Sequence, residues 1–165
     1  MDPIGLSSWS NYFSTIAGAS ATLTGLLFVA VSINLSRILQ TPGLTGRVAE
    51  SLVQLFGVLA IATTYLIPGL RMHTLGLIVL LVTLLAWMLQ MYTQGKYVAA
   101  RTGNPRHWIL TRVLQTQLAC VPLLVSGVLV LSGSSAALYW SAAGFALSLA
   151  AGIANAWVLL IEILR

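Results

Sequence analysis

Acidic residues are almost missing from this chain. Asp2, Glu50 and Glu162 are the three in 165 residues. Basic residues number eight, so charged side chains make up 7% of the sequence, against about 25% in an ordinary soluble domain. That scarcity excludes a disordered chain, a nucleic-acid-binding domain and most soluble enzymes. A lone cysteine, Cys120, excludes a disulfide framework or a cysteine-based metal site within one chain. No Gly-rich phosphate loop, His-Glu-x-x-His or Cys-x-x-Cys occurs. Asp2 is far from the two glutamates, and His73 and His107 fall on opposite sides of the expected membrane, so no catalytic set or metal site assembles. The chain is expected to be no enzyme and to carry no cofactor. No basic residue precedes Arg37, so the first apolar stretch lacks the positive flank of a signal peptide and is expected to stay as a helix.

What is present is apolar length. Hydrophobic residues are 58% of the chain, and four stretches carry no charge: 3–36, 51–70, 72–95 and 113–161. A helix needs about 20 predominantly apolar residues to cross a bilayer. The pattern predicts an all-α, polytopic transmembrane bundle with five spans, at about 9–39, 46–68, 72–93, 105–131 and 136–164, forming one integral membrane domain over 1–165. Pro42-Gly43 and Pro68-Gly69 punctuate the early spans, with Thr45 as an expected N-cap for the second. A polar loop is expected over 94–104, then Asn104-Pro105 as a helix start. Ser132-Gly133-Ser134-Ser135 reads as a tight turn.

Five spans put the termini on opposite sides. Arg37, Arg47, Lys96, Arg101, Arg106, Arg112 and Arg165 then share one side and Arg71 stands alone on the other. Basic residues stay cytoplasmic, so the N-terminus is expected outside and the C-terminus inside. Trp9, Tyr12, Phe13, Tyr65, Tyr139 and Trp140 read as outer interface anchors, and Trp87, Tyr92, Tyr97, Trp108 and Trp157 as inner ones.

Within lipid, helices associate through small residues and a few polar contacts. The fifth span places Ser141, Ser148, Asn155 and Glu162 seven apart, with Gly144 and Gly152 on nearly the same face. Gln54 and Thr64 mark the second span, Gln115 and Ser126 the fourth, and Ser32 and Asn34 the first. These residues are candidates either for helix contacts or for a neutral pore lining. The third span is mostly Leu, Val and Ile and is expected to face lipid. Near the inner boundary, Arg37, Arg47, Glu50, Arg112, Glu162 and Arg165 form a candidate ion-pair layer, because ionisable groups at a membrane edge pair or snorkel.

The string AGASATLTGLLFVAVSINLSRIL over 17–39, preceded by Trp9-Ser10-Asn11-Tyr12-Phe13, resembles a family of small bacterial polytopic membrane proteins. Some of its members bear the automatic label of modulators of an FtsH-type membrane protease. The resemblance implies an inner-membrane protein acting on a larger membrane partner, and it brings no catalytic or partner-binding residues. Ser20-Ala21-Thr22-Leu23-Thr24-Gly25 is also weakly similar to the pore helix of store-operated calcium channels. That family carries a glutamate where this chain reads Ser32-Ile33-Asn34, so calcium selectivity is not expected.

Two functional expectations follow. The first is a non-enzymatic inner-membrane protein that self-associates and serves as an interaction or regulatory subunit. The second is a homo-oligomeric channel lined by neutral polar faces, with its basic rim favouring anions. Membrane lipid is the expected partner of either, and nucleic acid of neither.

Overall fold

The computed structural model describes residues 5–41, 43–99 and 106–164, with side chains left aside at 97, 99, 106–109 and 158–164. A short 3-10 turn, Leu6–Trp9, leads into α1 (Ser10–Ile33). There follow α2 (Leu35–Gln40), α3 (Leu44–Tyr65), α4 (Met72–Ala99), α5 (Arg106–Leu131) and α6 (Ala136–Leu164). No strand occurs among the described residues. Five of the helices are long and apolar enough to cross a membrane, and the chain is an all-α polytopic membrane bundle.

The helices run alternately up and down because their connections are short. Gly133 ends α5 in the left-handed region at φ 71°, where a side chain would strain the backbone. The Gly133 and Ser134 amides donate back to Val130 and Leu129, which closes the helix end. Gly43, at φ 87°, caps α3. This corrects the expectation that Thr45 caps that helix: the chain turns one residue pair earlier, on glycine geometry rather than a hydroxyl.

α3, α4, α5 and α6 close a four-helix ring, each packed on the next and α6 on α3. Glycines let these backbones approach. An added Cβ would come within 2.7 Å of Leu80 at Gly127, 2.6 Å of Leu123 at Gly144 and 2.7 Å of Leu55 at Gly152. With lipid as solvent, close packing of this kind holds helices together in place of a hydrophobic driving force.

α1 stands outside the ring. It packs along α3 and meets α6 much less. Its contact with α6 is at the end where Trp9 meets Tyr139 edge-on at 5.0 Å and Phe13 meets Phe145 at 6.2 Å. Phe13 also stacks flat on Tyr65 at 4.4 Å. Phe13 and Tyr65 are buried, so they are core rings and not interface anchors.

Three span readings change. The first span is broken: Asn34 leaves helical geometry at φ −107°, ψ 16°, and α2 restarts beyond it. The second ends at Tyr65, three residues short of Pro68. The third runs on to Ala99, so Gln94 is helical and not in a loop. The third span is largely exposed, as expected, and so is the first: 22% and 17% of their most apolar stretches are buried.

Candidate functional site

The polar side chains of the ring form three belts along its axis. At the end that carries Arg71, Tyr65 of α3 hydrogen-bonds with Ser141 of α6 at 2.8 Å and Ser126 of α5 at 3.2 Å. Ser126 and Ser141 also lie within hydrogen-bond reach of each other and of the Ala137 carbonyl, and the three hydroxyl protons of Tyr65, Ser126 and Ser141 are shared among these contacts. One tyrosine thus ties three helices.

The middle belt joins α3 to α6 and α1. Gln54 donates its amide to Ser148 Oγ at 2.7 Å, with both residues buried. Ser20 of α1 donates to the Leu55 carbonyl of α3 at 2.6 Å. Gln115 of α5 reaches the Ala151 carbonyl of α6 at 2.9 Å. Between α3, α4 and α5, beside Gln54, Thr83 and Cys120, lies a cavity of about 10 Å³, room for at most one water.

The third belt lies at the basic end. Arg112 of α5 donates from Nε and Nη2 to the two carboxylate oxygens of Glu50 on α3, at 2.9 and 2.8 Å. Both side chains are buried. Thr93 of α4 donates to Glu50 Oε1 at 2.9 Å, so three helices meet at one carboxylate. Burying two charges is costly unless their geometry is good and their other lone pairs are served. The bidentate fork and the Thr93 hydroxyl meet that demand. Alongside, Gln94 donates to Thr116 Oγ1 at 2.8 Å, and Gln90 faces the same threonine. Gln94 Oε1 is the one buried side-chain polar atom without a partner among the described residues.

The residues singled out by sequence divide accordingly. Gln54, Thr64, Ser126, Ser141, Gly144, Ser148 and Gly152 are buried inside the monomer, and Gln115 and Asn155 are half-buried. Ser32 is exposed and folds its hydroxyl onto the Phe28 carbonyl of its own helix. Asn34 is half-buried at the helix break and donates to the Ala30 carbonyl. Of the ion-pair layer, Glu50, Arg112 and Arg47 are buried at one depth and Arg37 is exposed. The Glu162 side chain, Arg165 and the Asn104-Pro105 start lie outside the described residues.

Sequence reasoning missed the contribution of α4. Thr83, Gln90 and Gln94 lie on one helical face at i, i+7 and i+11 and are all buried. The signal was present, but a helix ended at 93 hides it. Three or more His, Cys, Asp or Glu residues able to hold a metal do not cluster among the described residues.

Fold and interior together define a multi-pass α-helical membrane protein whose ring is knit by polar belts. No family model, curated protein or solved structure compared with the chain matches it.

Proposed function

We propose that this chain is a non-catalytic membrane protein that works by lateral association, presenting the outer face of α1 to another subunit. One observation carries the reading. Asn11, Ser14, Gly18, Thr22, Gly25 and Ser32 fall along one face of α1 and all are exposed. A Cβ added at Gly18 or Gly25 would meet nothing within 4 Å. Toward its far end α1 also exposes Leu26, Phe28, Val29 and Ile33, so the small and polar row is continuous only from Asn11 to Gly25, whereas α4 exposes Leu77, Leu81, Leu84, Leu85, Met88 and Leu89. Small residues and hydroxyls on a spanning helix favour close helix contact over lipid. Apart from Gln94 Oε1, the buried side-chain polar atoms among the described residues are hydrogen-bonded inside the chain, which favours α1 as the face to offer.

A bacterial inner membrane, with the basic end cytoplasmic and the N-terminus outside, suits the charge asymmetry. A second copy of the chain is the first partner to test, and a larger membrane protein the next, in keeping with the resemblance of the first span. The second reading is a closed ring of copies with the polar face of α1 lining a central axis. The same row of hydroxyls favours it, and the basic rim would then prefer anions.

The experiment is native mass in a lipid-like environment, for the wild type and for Gly18→Leu and Gly25→Leu. The expected result is an assembly that shrinks in the leucine variants. Four or more copies with ion flux sensitive to Thr22→Val moves the second reading ahead. A monomer unchanged by either substitution, with no co-purifying membrane partner, removes both.

A further inference from the structure

We infer that the cleft between α1 and α6 at the basic end is a binding site for one chain of an anionic phospholipid. α1 and α6 touch at their aromatic end and diverge toward the other. The space left is about 300 Å³, walled by Leu23, Ala30 and Asn34 on one side and by Gly152 and Trp157 on the other, with Leu55 of α3 as its floor. That volume is at the lower end of the range for small-molecule pockets. The lining is apolar until its mouth, where Asn34 and Trp157 stand.

Length identifies the occupant. From Leu23 to Asn34 the cleft runs along α1 for about 16 Å at helical rise. The hydrocarbon core is roughly 30 Å thick, so the cleft spans one leaflet, from the midplane to the basic end. Charge identifies the headgroup. Arg37 is exposed one turn beyond Asn34, next to Ile38, which also lines the cleft. An exposed arginine at this end of the bundle suits a lipid phosphate. Trp157 is exposed on the opposite wall, where an indole favours the boundary between chain and headgroup. The cleft faces away from the polar stripe of α1, so the inference stands apart from the function proposed above.

The test is native mass spectrometry of the full chain released from detergent containing equal amounts of phosphatidylglycerol and phosphatidylcholine. The expected result is one retained phosphatidylglycerol per chain. Ala156→Phe fills the cleft from α6 and abolishes retention of either lipid. Ala30→Phe does so from α1 and serves if the first variant fails to fold. Arg37→Gln keeps a bound lipid but lowers the preference for phosphatidylglycerol about fivefold. Equal lipid retention in wild type and both phenylalanine variants overturns the proposal. So does a change in subunit number without loss of lipid, which assigns the cleft to a protein.

Discussion

Arg112 on α5 grips both carboxylate oxygens of Glu50 on α3, at 2.9 and 2.8 Å, in a buried fork that Thr93 of α4 completes. The pair is the strongest polar tie of the ring and also its largest hazard. Removing one member strands a charge in a poorly solvated interior.

Arg112→Met leaves the Glu50 carboxylate buried without its cation. The expected cost is about 3–5 kcal/mol, read as a lower unfolding midpoint in detergent. Pairing it with Glu50→Leu removes the stranded charge, and the double variant should recover most of that loss. A double variant no better than the single ones would count against this account.

Gln54 and Ser148 test the middle belt. Ser148→Ala leaves a buried amide without its acceptor and should cost about 1 kcal/mol, the scale of hydrogen bonds between membrane helices. Gln54→Leu combined with Ser148→Ala replaces both partners, and the pair should be closer to neutral than the single changes add up to. Strict additivity in a double-mutant cycle would mean that the two side chains do not interact.

Glycines divide by what surrounds them. Gly144→Ala places a methyl 2.6 Å from the Leu123 side chain and should lower stability by about 1–3 kcal/mol. Gly18→Ala meets open space, so in the isolated monomer it should be neutral or slightly stabilising through helix propensity. Thermal unfolding of the two variants side by side distinguishes tight contact from free surface.

Orientation is open to direct labelling. In a Cys120→Ala background, a cysteine replacing Ser135 should react with an impermeant thiol reagent added outside intact cells. A cysteine replacing Gln40 should react only after permeabilisation, because both positions are exposed and lie at opposite ends of the bundle. The reverse pattern inverts the proposed topology.

The number of spans is legible in the sequence because charge is excluded from the bilayer core, and the charge-free runs mark that exclusion directly. Where those spans bend or end is less legible. Asn34 interrupts the first span with neither glycine nor proline beside it, and an asparagine inside an apolar run carries no unambiguous break signal. Gln94 reads as loop because glutamine is polar. It is helical because Thr116 on α5 receives its amide, a partner 22 residues away that local pattern does not show.

The site is legible in membership more than in pairing. Glu50 and Arg112 both belong to a layer expected from depth alone. Which cation meets which carboxylate depends on the relative rotation of α3 and α5, which the pattern of either span alone does not show. Tyr65 reads as an interface ring in the sequence because tyrosine favours that depth. Its burial follows from α1 laying Phe13 flat against it, and no property of the second span alone foretells that.

The ion pair spans 62 residues of chain, and the Gln54 to Ser148 bond spans 94. Synthesis proceeds from the N-terminus, so α3 reaches the bilayer before either of its polar partners exists. Its carboxylate must wait for α5 at the membrane edge, where water reaches it, and its amide must wait for α6. The second span is therefore the least self-sufficient during biogenesis. A nascent chain halted after α4 presents a carboxylate that has Thr93 but no cation, and an amide with no acceptor, which is a chemical mark of incompleteness that the finished bundle erases.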